Sequence, residues 1–247
     1  MSNRYAFSLV ELSIVLVILG LLTGAILAGQ ALIRASEIRS VGTDFSKYET
    51  AIYAFRDKYF ALPGDMTNAT AIWGKDATNC NGNTGIAATP GTCNGDGNGY
   101  VNQASPEMWR TWQHLSLAGL IEGSYVGTQT GWGTNVQPGI DLPAGRIPSS
   151  VYYFRVENNT NSEFAWVDLT YTKNMLIVAN NSSTVLTPTE AWNVDTKWDD
   201  GAPGTGKVWG GNTTGGCVTS TTSTAAQYTK SGSNSITLRC VMGRLLS

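Results

Sequence analysis

The segment FSLVELSIVLVILGLL, residues 7–22, decides how this chain is organised. It opens a long apolar run, because residues 12–33 contain no charged side chain. A helix of that run is about 33 Å long, close to the roughly 30 Å thickness of the hydrocarbon core of a bilayer. We therefore predict a membrane-spanning helix over residues 7–33. Glu11 lies near its start, where a carboxylate is costly unless it has a partner.

The helical pattern continues beyond the apolar run. Pro63-Gly64 is the first signal that would end the helix. A continuous helix over residues 7–60 would be about 81 Å long. Its second half would pack on a sheet, although a two-stranded coiled coil would show a similar stripe. The stripe consists of seven apolar side chains at alternating spacings of three and four residues: Ile38, Val41, Phe45, Tyr48, Ile52, Phe55 and Tyr59.

The composition excludes several classes of function. Only 14% of the 247 residues are charged and the net charge is −2, so the chain has no basic footprint for nucleic acid. His114 is the only histidine, and no Ser or Cys has a recognisable base nearby in the sequence. The glycine-rich residues 95–99 are not followed by the Lys-Ser/Thr pair of a phosphate-binding loop. We expect a protein that is not an enzyme.

Four cysteines indicate disulfides in an oxidising compartment. Cys80, Cys93, Cys217 and Cys240 include no closely spaced pair of the kind that binds zinc. The sequence permits three connectivities. We favour the local pairing, Cys80 with Cys93 and Cys217 with Cys240, because each pair brackets a loop rich in Gly and Thr.

The region after the long helix predicts an α+β domain with an antiparallel sheet. Strand patterns cover residues 150–156, 164–171, 175–179 and 236–241. Ser105-Pro106-Glu107 predicts the start of a helix that continues to about Ile121, with Gly123 beyond it. Thr187-Pro-Thr-Glu190 is a capping box that opens a short helix to about Lys197. Residues 210–235 are rich in Gly, Thr and Ser and predict a loop.

The N-terminal segment Ala6-Phe7-Ser8-Leu9-Val10-Glu11, preceded by Arg4, resembles the processing motif of type IV pilins and type II secretion pseudopilins. The resemblance implies that a prepilin peptidase cuts between Ala6 and Phe7 and that the new amino terminus of Phe7 is methylated. It also implies that Glu11 pairs with that amino group of a neighbouring subunit and so sets the register of a filament. Two positions depart from the family pattern, since Ala6 replaces the usual Gly and Ala28 replaces a helix-breaking Pro.

The resemblance implies four segments: a leader at residues 1–6, a transmembrane and filament-core helix at 7–33, an amphipathic half at 34–60 and an α+β head at 61–247. The protein would be a structural subunit of a type IV pilus or a pseudopilus-like filament. It would wait in the inner membrane as a single-pass protein in contact with lipid, with its head in the periplasm. It would then enter a cell-surface or periplasm-spanning filament. Its partners would be other pilin-like subunits, the peptidase and the inner-membrane assembly platform.

An alternative is a minor tip pilin whose head, rich in Trp and Asn, is an adhesin or binding module. The candidates for an exposed aromatic surface are Trp73, Trp132 and Trp209, each followed by Gly. The other interpretation of these residues is that they anchor the core or the loops.

Two groups of oxygen ligands make calcium a candidate cofactor. Asn94, Asp96, Asn98 and Tyr100 have the spacing of an EF-hand-like loop, although the twelfth position lacks its Glu. A chain of Asn/Asp turns would give the same pattern without an ion. The second group is Asp195, Asp199 and Asp200, and resembles the C-terminal acidic loop through which major pseudopilins bind calcium.

Overall fold

The structure is a computed structural model. It describes residues 8–76, 80, 91–102, 106–127, 136–157, 164, 172–180, 184–211, 215–220 and 223–246. The helices are α1 (Leu9–Tyr59), α2 (Ala69–Trp73), α3 (Glu107–Leu117) and α4 (Pro188–Trp198). The strands are β1 (Val151–Glu157), β2 (Lys173–Ala179), β3 (Val208–Gly211) and β4 (Val241–Leu245), and short 3-10 turns occupy Ser223–Ala225 and Ser233–Ile236.

Helix α1 runs unbroken for 51 residues, which corresponds to about 77 Å. Ser8 caps its start, and Phe60 ends it in a left-handed conformation with φ 54°. The predicted apolar stripe faces the head: five of its seven members are buried, and the flanking Ile38 and Tyr59 are partly buried against the same core. The stripe therefore packs within the chain, and the long-helix prediction is confirmed.

The four strands form one antiparallel sheet in the order β1-β2-β4-β3. Aromatic side chains join α1 to this sheet, since the Phe45 and Tyr152 rings meet edge-on with centroids 5.9 Å apart. Asp44 of α1 also accepts a hydrogen bond from the Tyr152 hydroxyl at 3.0 Å. On the other side of Tyr48, the Trp112 ring of α3 lies 5.0 Å away. The predicted α+β class with an antiparallel sheet is thus confirmed.

Helix α3 is shorter than predicted, and Gly119 is the reason. The helix ends at Leu117 rather than near Ile121, because Gly119 adopts φ 71°. The Leu120 N–H then donates to the Leu115 carbonyl, and the Gly119 N–H donates to the Ser116 carbonyl. These two bonds are the Schellman arrangement that satisfies the last carbonyl groups of a helix. The sequence predicts a helix end near Ile121, before Gly123, but Gly119 is the glycine that ends the helix.

The last strand lies later than predicted. Residues 236–240 do not form a strand: Ile236 ends a 3-10 turn and is 79% exposed, and β4 begins only at Val241. Gly243 lies in the middle of β4, where a glycine weakens the local strand pattern. A Cβ at Gly243 would collide with the Met175 sulfur and approach Phe164, so the packed core requires a glycine there.

The predicted loop over residues 210–235 also begins inside a strand. Gly210 and Gly211 belong to β3, which pairs with β4. A Cβ at Gly210 would overlap the Tyr228 ring. Of the predicted strand at 164–171, only the buried Phe164 is among the described residues. The capping box of α4 is confirmed, with Thr187 accepting from the Glu190 N–H at 3.2 Å.

Two disulfides tie down the loops of the head. Cys80 is bonded to Cys93, and Cys217 to Cys240. This is the local pairing that the sequence favoured. Cys217 and Cys240 are fully buried, and the Cys240 backbone also bonds Leu186 ahead of α4. The second bridge therefore holds the start of β4 against the α4 region.

Candidate functional site

The N-terminal half of α1 is an apolar surface with no cover. From Leu9 to Ile33 every residue is exposed except Gly29, which is half-buried. Leu9 is 86% exposed and Leu32 is 73% exposed. Among the described residues, α1 is the one helix that is long and apolar enough to cross a membrane. So large an apolar surface marks a site for lipid or for other protein chains.

Glu11 is placed at the start of this surface by a capping box. Its carboxylate accepts the Ser8 N–H at 2.9 Å, while the Ser8 hydroxyl accepts the Val10 N–H at 3.3 Å. The charge also lies in the first turn of α1, where the helix dipole favours an anion. Ala6 and Phe7, the predicted processing residues, lie outside the described residues. Ser8 directly follows Phe7 in the sequence. An amino terminus created at Phe7 would therefore lie one residue before the Ser8 N–H that donates to Glu11.

A family model described as the prokaryotic N-terminal methylation motif matches residues 1–27. The chain carries the type IV pilin and pseudopilin leader signature. The match spans the predicted cleavage point, Glu11 and most of the exposed apolar helix. This pilin-type motif indicates a structural protein. No curated protein sequence and no solved structure matches the chain.

Among the described residues, Arg34, directly after the apolar run, forms the first side-chain bonds of α1 with the rest of the chain. The guanidinium donates to both Glu190 carboxylate oxygens, at 2.7 and 2.8 Å, and to the Val185 carbonyl at 3.0 Å. Glu37 of α1 forms a further ion pair with Arg34 at 3.2 Å. Burial acts to raise the pKa of Glu190, but hydrogen bonds from Arg34 and Thr187 outweigh it and leave that pKa below its ordinary value. No local pattern in the sequence indicates this long-range pair.

The first acidic cluster contains Asp65, Asp96 and Glu107. Their carboxylate oxygens lie within 4.8 Å of one another, and only Asp96 is exposed. Asp65 accepts backbone N–H groups of residues 97–99 at 2.8–3.1 Å. Burial, a hydrogen bond with Asp96 and the charge of Glu107 raise the pKa of Asp65 to about 6. Sequence spacing placed Glu107 two residues beyond the twelfth position of the loop and missed Asp65, which is distant from Asp96 in the sequence.

The other predicted ligands of this loop are engaged elsewhere. The Asn94 side-chain oxygen accepts the Thr70 N–H at 2.9 Å. Asp96 accepts the Asn98 N–H at 3.0 Å, and Asn98 accepts the Tyr100 N–H at 2.7 Å. These last two bonds are Asx turns, which form without an ion. Calcium binding at this loop stays a prediction, and the acids closest to Asp96 are the two named above.

The second acidic cluster lies at the C-terminal end of α4. The carboxylates of Asp195, Asp199 and Asp200 come within 4.8 Å of one another. They stand at the negative end of the α4 dipole, where a carboxylate is disfavoured. Within the part of the chain that the structure describes, no Lys or Arg forms an ion pair with any of the three. The predicted second group is therefore brought together without an ion pair, and its carboxylates accept hydrogen bonds from backbone N–H groups and from the Tyr228 and Thr205 hydroxyls.

Asp195 is the buried member of this cluster. It accepts the Tyr228 hydroxyl at 2.8 Å and the Gly201 N–H at 3.1 Å. Burial, followed by the charges of Asp200 and Asp199, raises its pKa to about 7 against those two hydrogen bonds. Carboxylate oxygens are the ligands that calcium prefers. The residues of this cluster therefore fit a calcium ion in both donor type and charge.

The remaining candidates from the sequence belong to the packed head. His114 is buried, and its Nδ1 accepts the Gly64 N–H at 3.0 Å. Burial lowers its pKa to about 3, which keeps the ring neutral. Trp73 lies against the His114 and Tyr59 rings, and Trp209 is only 4% exposed. Trp132 lies outside the described residues. Trp73 and Trp209 thus act as anchors of the core and loops and do not form an exposed aromatic patch.

Proposed function

We propose that this chain is the precursor of a structural subunit of a type IV pilus or type II secretion pseudopilus-like filament. One observation carries the proposal: a helix that begins inside a methylation motif is apolar and exposed over its first half and packed into a folded head over its second half. The exposed half suits lipid before assembly and neighbouring copies of the same helix afterwards. The head would then be displayed on the outside of the polymer.

Processing is the first step of this function. A prepilin peptidase would cleave between Ala6 and Phe7, and the new amino group of Phe7 would be methylated. Methylation leaves that amine cationic, so it can still form an ion pair. In a filament core, Glu11 of one subunit would pair with the Phe7 amino terminus of the next, because a buried charge is tolerated only with a partner. The pair would fix the axial register between subunits.

The partners follow from the same sequence of events. We propose a leader at residues 1–6, a span at 7–33, an amphipathic half at 34–60 and a head at 61–247. The precursor would lie in the inner membrane with its head on the periplasmic side. The assembly platform would then draw the processed chain into a polymer with other pilin-like subunits.

Mass spectrometry of the N-terminal peptide, combined with electron microscopy of sheared filaments, tests the proposal. We expect a peptide that begins at a methylated Phe7, from protein found in filaments. Protein that keeps Met1 and is absent from filaments would overturn the proposal. An abundance restricted to filament tips would favour the tip-pilin alternative over a major subunit.

We further propose that calcium binds the cluster of Asp195, Asp199 and Asp200. The supporting observation is that their three carboxylates lie within 4.8 Å of one another at the C-terminal end of α4 without an ion pair to a Lys or Arg of the described residues. Calorimetric titration and thermal unfolding with calcium test this, because a ligand that binds only the folded state raises the melting temperature. Asp200→Asn should weaken binding, whereas Asp96→Asn, in the other cluster, should not. If Asp96→Asn weakened binding and Asp200→Asn did not, the ion would lie at Asp65, Asp96 and Glu107. If the wild-type chain, in which both clusters are intact, gave no heat with calcium, both sites would be excluded.

A further inference from the structure

A groove lies between α1 and α4 just beyond the end of the apolar run. Ala35, Ile38 and Arg39 line it from α1, and Val194, Lys197 and Trp198 line it from α4. Its volume is about 310 Å³, which is at the lower end of the range for sites that hold small molecules. Residues 35, 38 and 39 share one face of α1, and residues 194, 197 and 198 share one face of α4. The groove is thus the seam between two helices.

The groove lies at the height of lipid headgroups if the apolar run spans a bilayer. Ala35 and Arg39 are two and six residues beyond Ile33, or about 3 and 9 Å along the helix axis. The headgroup layer of one leaflet is about 5–8 Å thick, half the difference between the whole bilayer and its hydrocarbon core. Ala35 and Ile38 therefore lie within that layer on the side of the head, and Arg39 lies at its outer edge.

The charge of the groove is positive and available. Arg39 and Lys197 are exposed, and neither forms an ion pair in the part of the chain that the structure describes. Arg34, by contrast, is already neutralised by Glu190. Asp195 of α4 does not line the groove, since it is buried and accepts a hydrogen bond from Tyr228. An anion entering the seam would meet two cations with no competing carboxylate on the lining.

Trp198 closes the end of the groove farthest from the apolar run. Its indole lies directly over Gly42 of α1, and a Cβ at that position would overlap the ring. The side chain is still 36% exposed, so one part of the indole packs and the other remains open. An amphipathic aromatic with nearby basic residues is typical of the membrane interface.

We propose that this groove binds the phosphate headgroup of an anionic phospholipid in the leaflet on the side of the head. The inference rests on the membrane-inserted state of the proposed function. Arg39 and Lys197 contact the phosphate oxygens, Ala35 and Ile38 lie beside the glycerol portion, and the Trp198 indole lies on the solvent side of the phosphate. The bound lipid holds the head at a fixed distance and orientation relative to the membrane before assembly.

The test uses the full chain in nanodiscs that contain phosphatidylcholine with a minor fraction of phosphatidylglycerol. Native mass spectrometry of the released protein counts the retained lipids of each kind. We expect retained phosphatidylglycerol to exceed its bulk share, and Arg39→Gln/Lys197→Gln to reduce the excess roughly tenfold, since each basic residue near an anionic surface contributes to attraction. The matched control is Arg56→Gln/Lys58→Gln, which removes the same charge from exposed positions about 26 Å farther along α1.

Each outcome bears on a different claim. A chain that fails to enter nanodiscs would contradict membrane insertion itself. A chain that inserts but retains the two lipids in their bulk ratio would overturn the headgroup site alone. An equal loss with the control variant would show general charge attraction and would also overturn it. The last outcome concerns Arg39→Gln/Lys197→Gln. If this double variant retained both lipids as the wild type does but no longer formed cross-links between copies, the groove would contact a neighbouring subunit and the headgroup site would be wrong.

Discussion

Glu11 has one observed role and one proposed role, and a pair of substitutions can separate them. In the single chain its carboxylate caps α1 through the Ser8 N–H; in the proposed filament its charge pairs with Phe7 of a neighbour. Glu11→Gln keeps an oxygen for the cap and removes the charge, whereas Glu11→Ala removes both. We expect both variants to enter the membrane and both to lose filament incorporation by roughly tenfold or more, because an unpaired amino terminus would be buried. Quantitative blotting of sheared filaments against the membrane fraction measures this. Normal incorporation of Glu11→Gln would assign Glu11 to capping alone.

The raised pKa of Asp195 leads us to expect that its contribution to stability falls as the pH rises. Its folded-state pKa is raised to about 7 from 3.8, so the folded protein holds a proton that the unfolded chain releases. This contribution to stability is complete below pH 3.8 and is lost as the pH rises through 7. Asp195→Asn removes the charge and keeps an acceptor oxygen for Gly201. We expect its free energy of unfolding at pH 8 without calcium to exceed that of the wild type by about 1–3 kcal/mol.

Urea unfolding at pH 8 and pH 4 measures the Asp195 effect. The difference between wild type and Asp195→Asn should disappear at pH 4 and shrink at pH 8 when calcium is added. Asp57→Asn is the control, because it removes the same charge from an exposed position on α1. A wild type that is more stable than Asp195→Asn at pH 8 without calcium would contradict the prediction.

At the scale of the elements, the Arg34–Glu190 pair between α1 and α4 connects the exposed apolar half of α1 to the packed part of the chain. Arg34 and Glu190 are only partly exposed, at 30% and 18%, and the pair is bidentate. A double-mutant cycle with Arg34→Gln and Glu190→Gln should give a coupling of about 1 kcal/mol, more than the few tenths of many exposed pairs. Glutamine at 190 keeps an acceptor for the Thr187 cap, so the cycle reports the ion pair. Urea unfolding of the four proteins measures it, and a coupling near zero would mean that apolar packing alone holds α1 against α4.

The elements also show what a sequence can and cannot predict. The α1 stripe and the α4 capping box are local patterns, and both were predictable because the residues involved lie within a few positions of each other. β4 begins at Val241 rather than at Ile236, and a glycine is required at position 243 because a Cβ there would collide with Met175 of β2. Such a requirement is set by tertiary packing and has no local signal.

The same distinction holds for the candidate sites. Asp195, Asp199 and Asp200 were predictable as a group because they are close in the sequence and lie around one helix end. Spacing placed Glu107 two residues beyond the twelfth position of the loop, and the grouping of Asp65 with Asp96 depends on a tertiary contact between distant parts of the chain. Spacing alone therefore identified a loop with suitable oxygens but could not identify Asp65 beside it.

At the scale of the whole molecule, α1 passes from solvent-exposed to packed between Ile33 and Arg34. The side chains up to Ile33 are exposed, whereas Arg34 bonds α4 and Val41 lies in the core. The exposed part contributes apolar surface without contributing to the packing of the head. We therefore expect residues 34–247 alone to be soluble and folded, with a melting temperature within a few degrees of the full chain in detergent, because no core contact is removed.

A second truncation makes this prediction specific. Residues 41–247 lack Arg34 and Ile38 as well as the span, so the Arg34–Glu190 pair and one packed side chain are lost. We expect its melting temperature to fall by roughly 5 °C or more relative to residues 34–247, since each kcal/mol shifts the midpoint by about 2–4 °C for a domain of this size. Circular dichroism at 222 nm measures both. If the two truncations were equally stable, the boundary of the head would lie after Ser40. If residues 34–247 aggregated and lost the folded signal, the exposed half of α1 would be needed for folding.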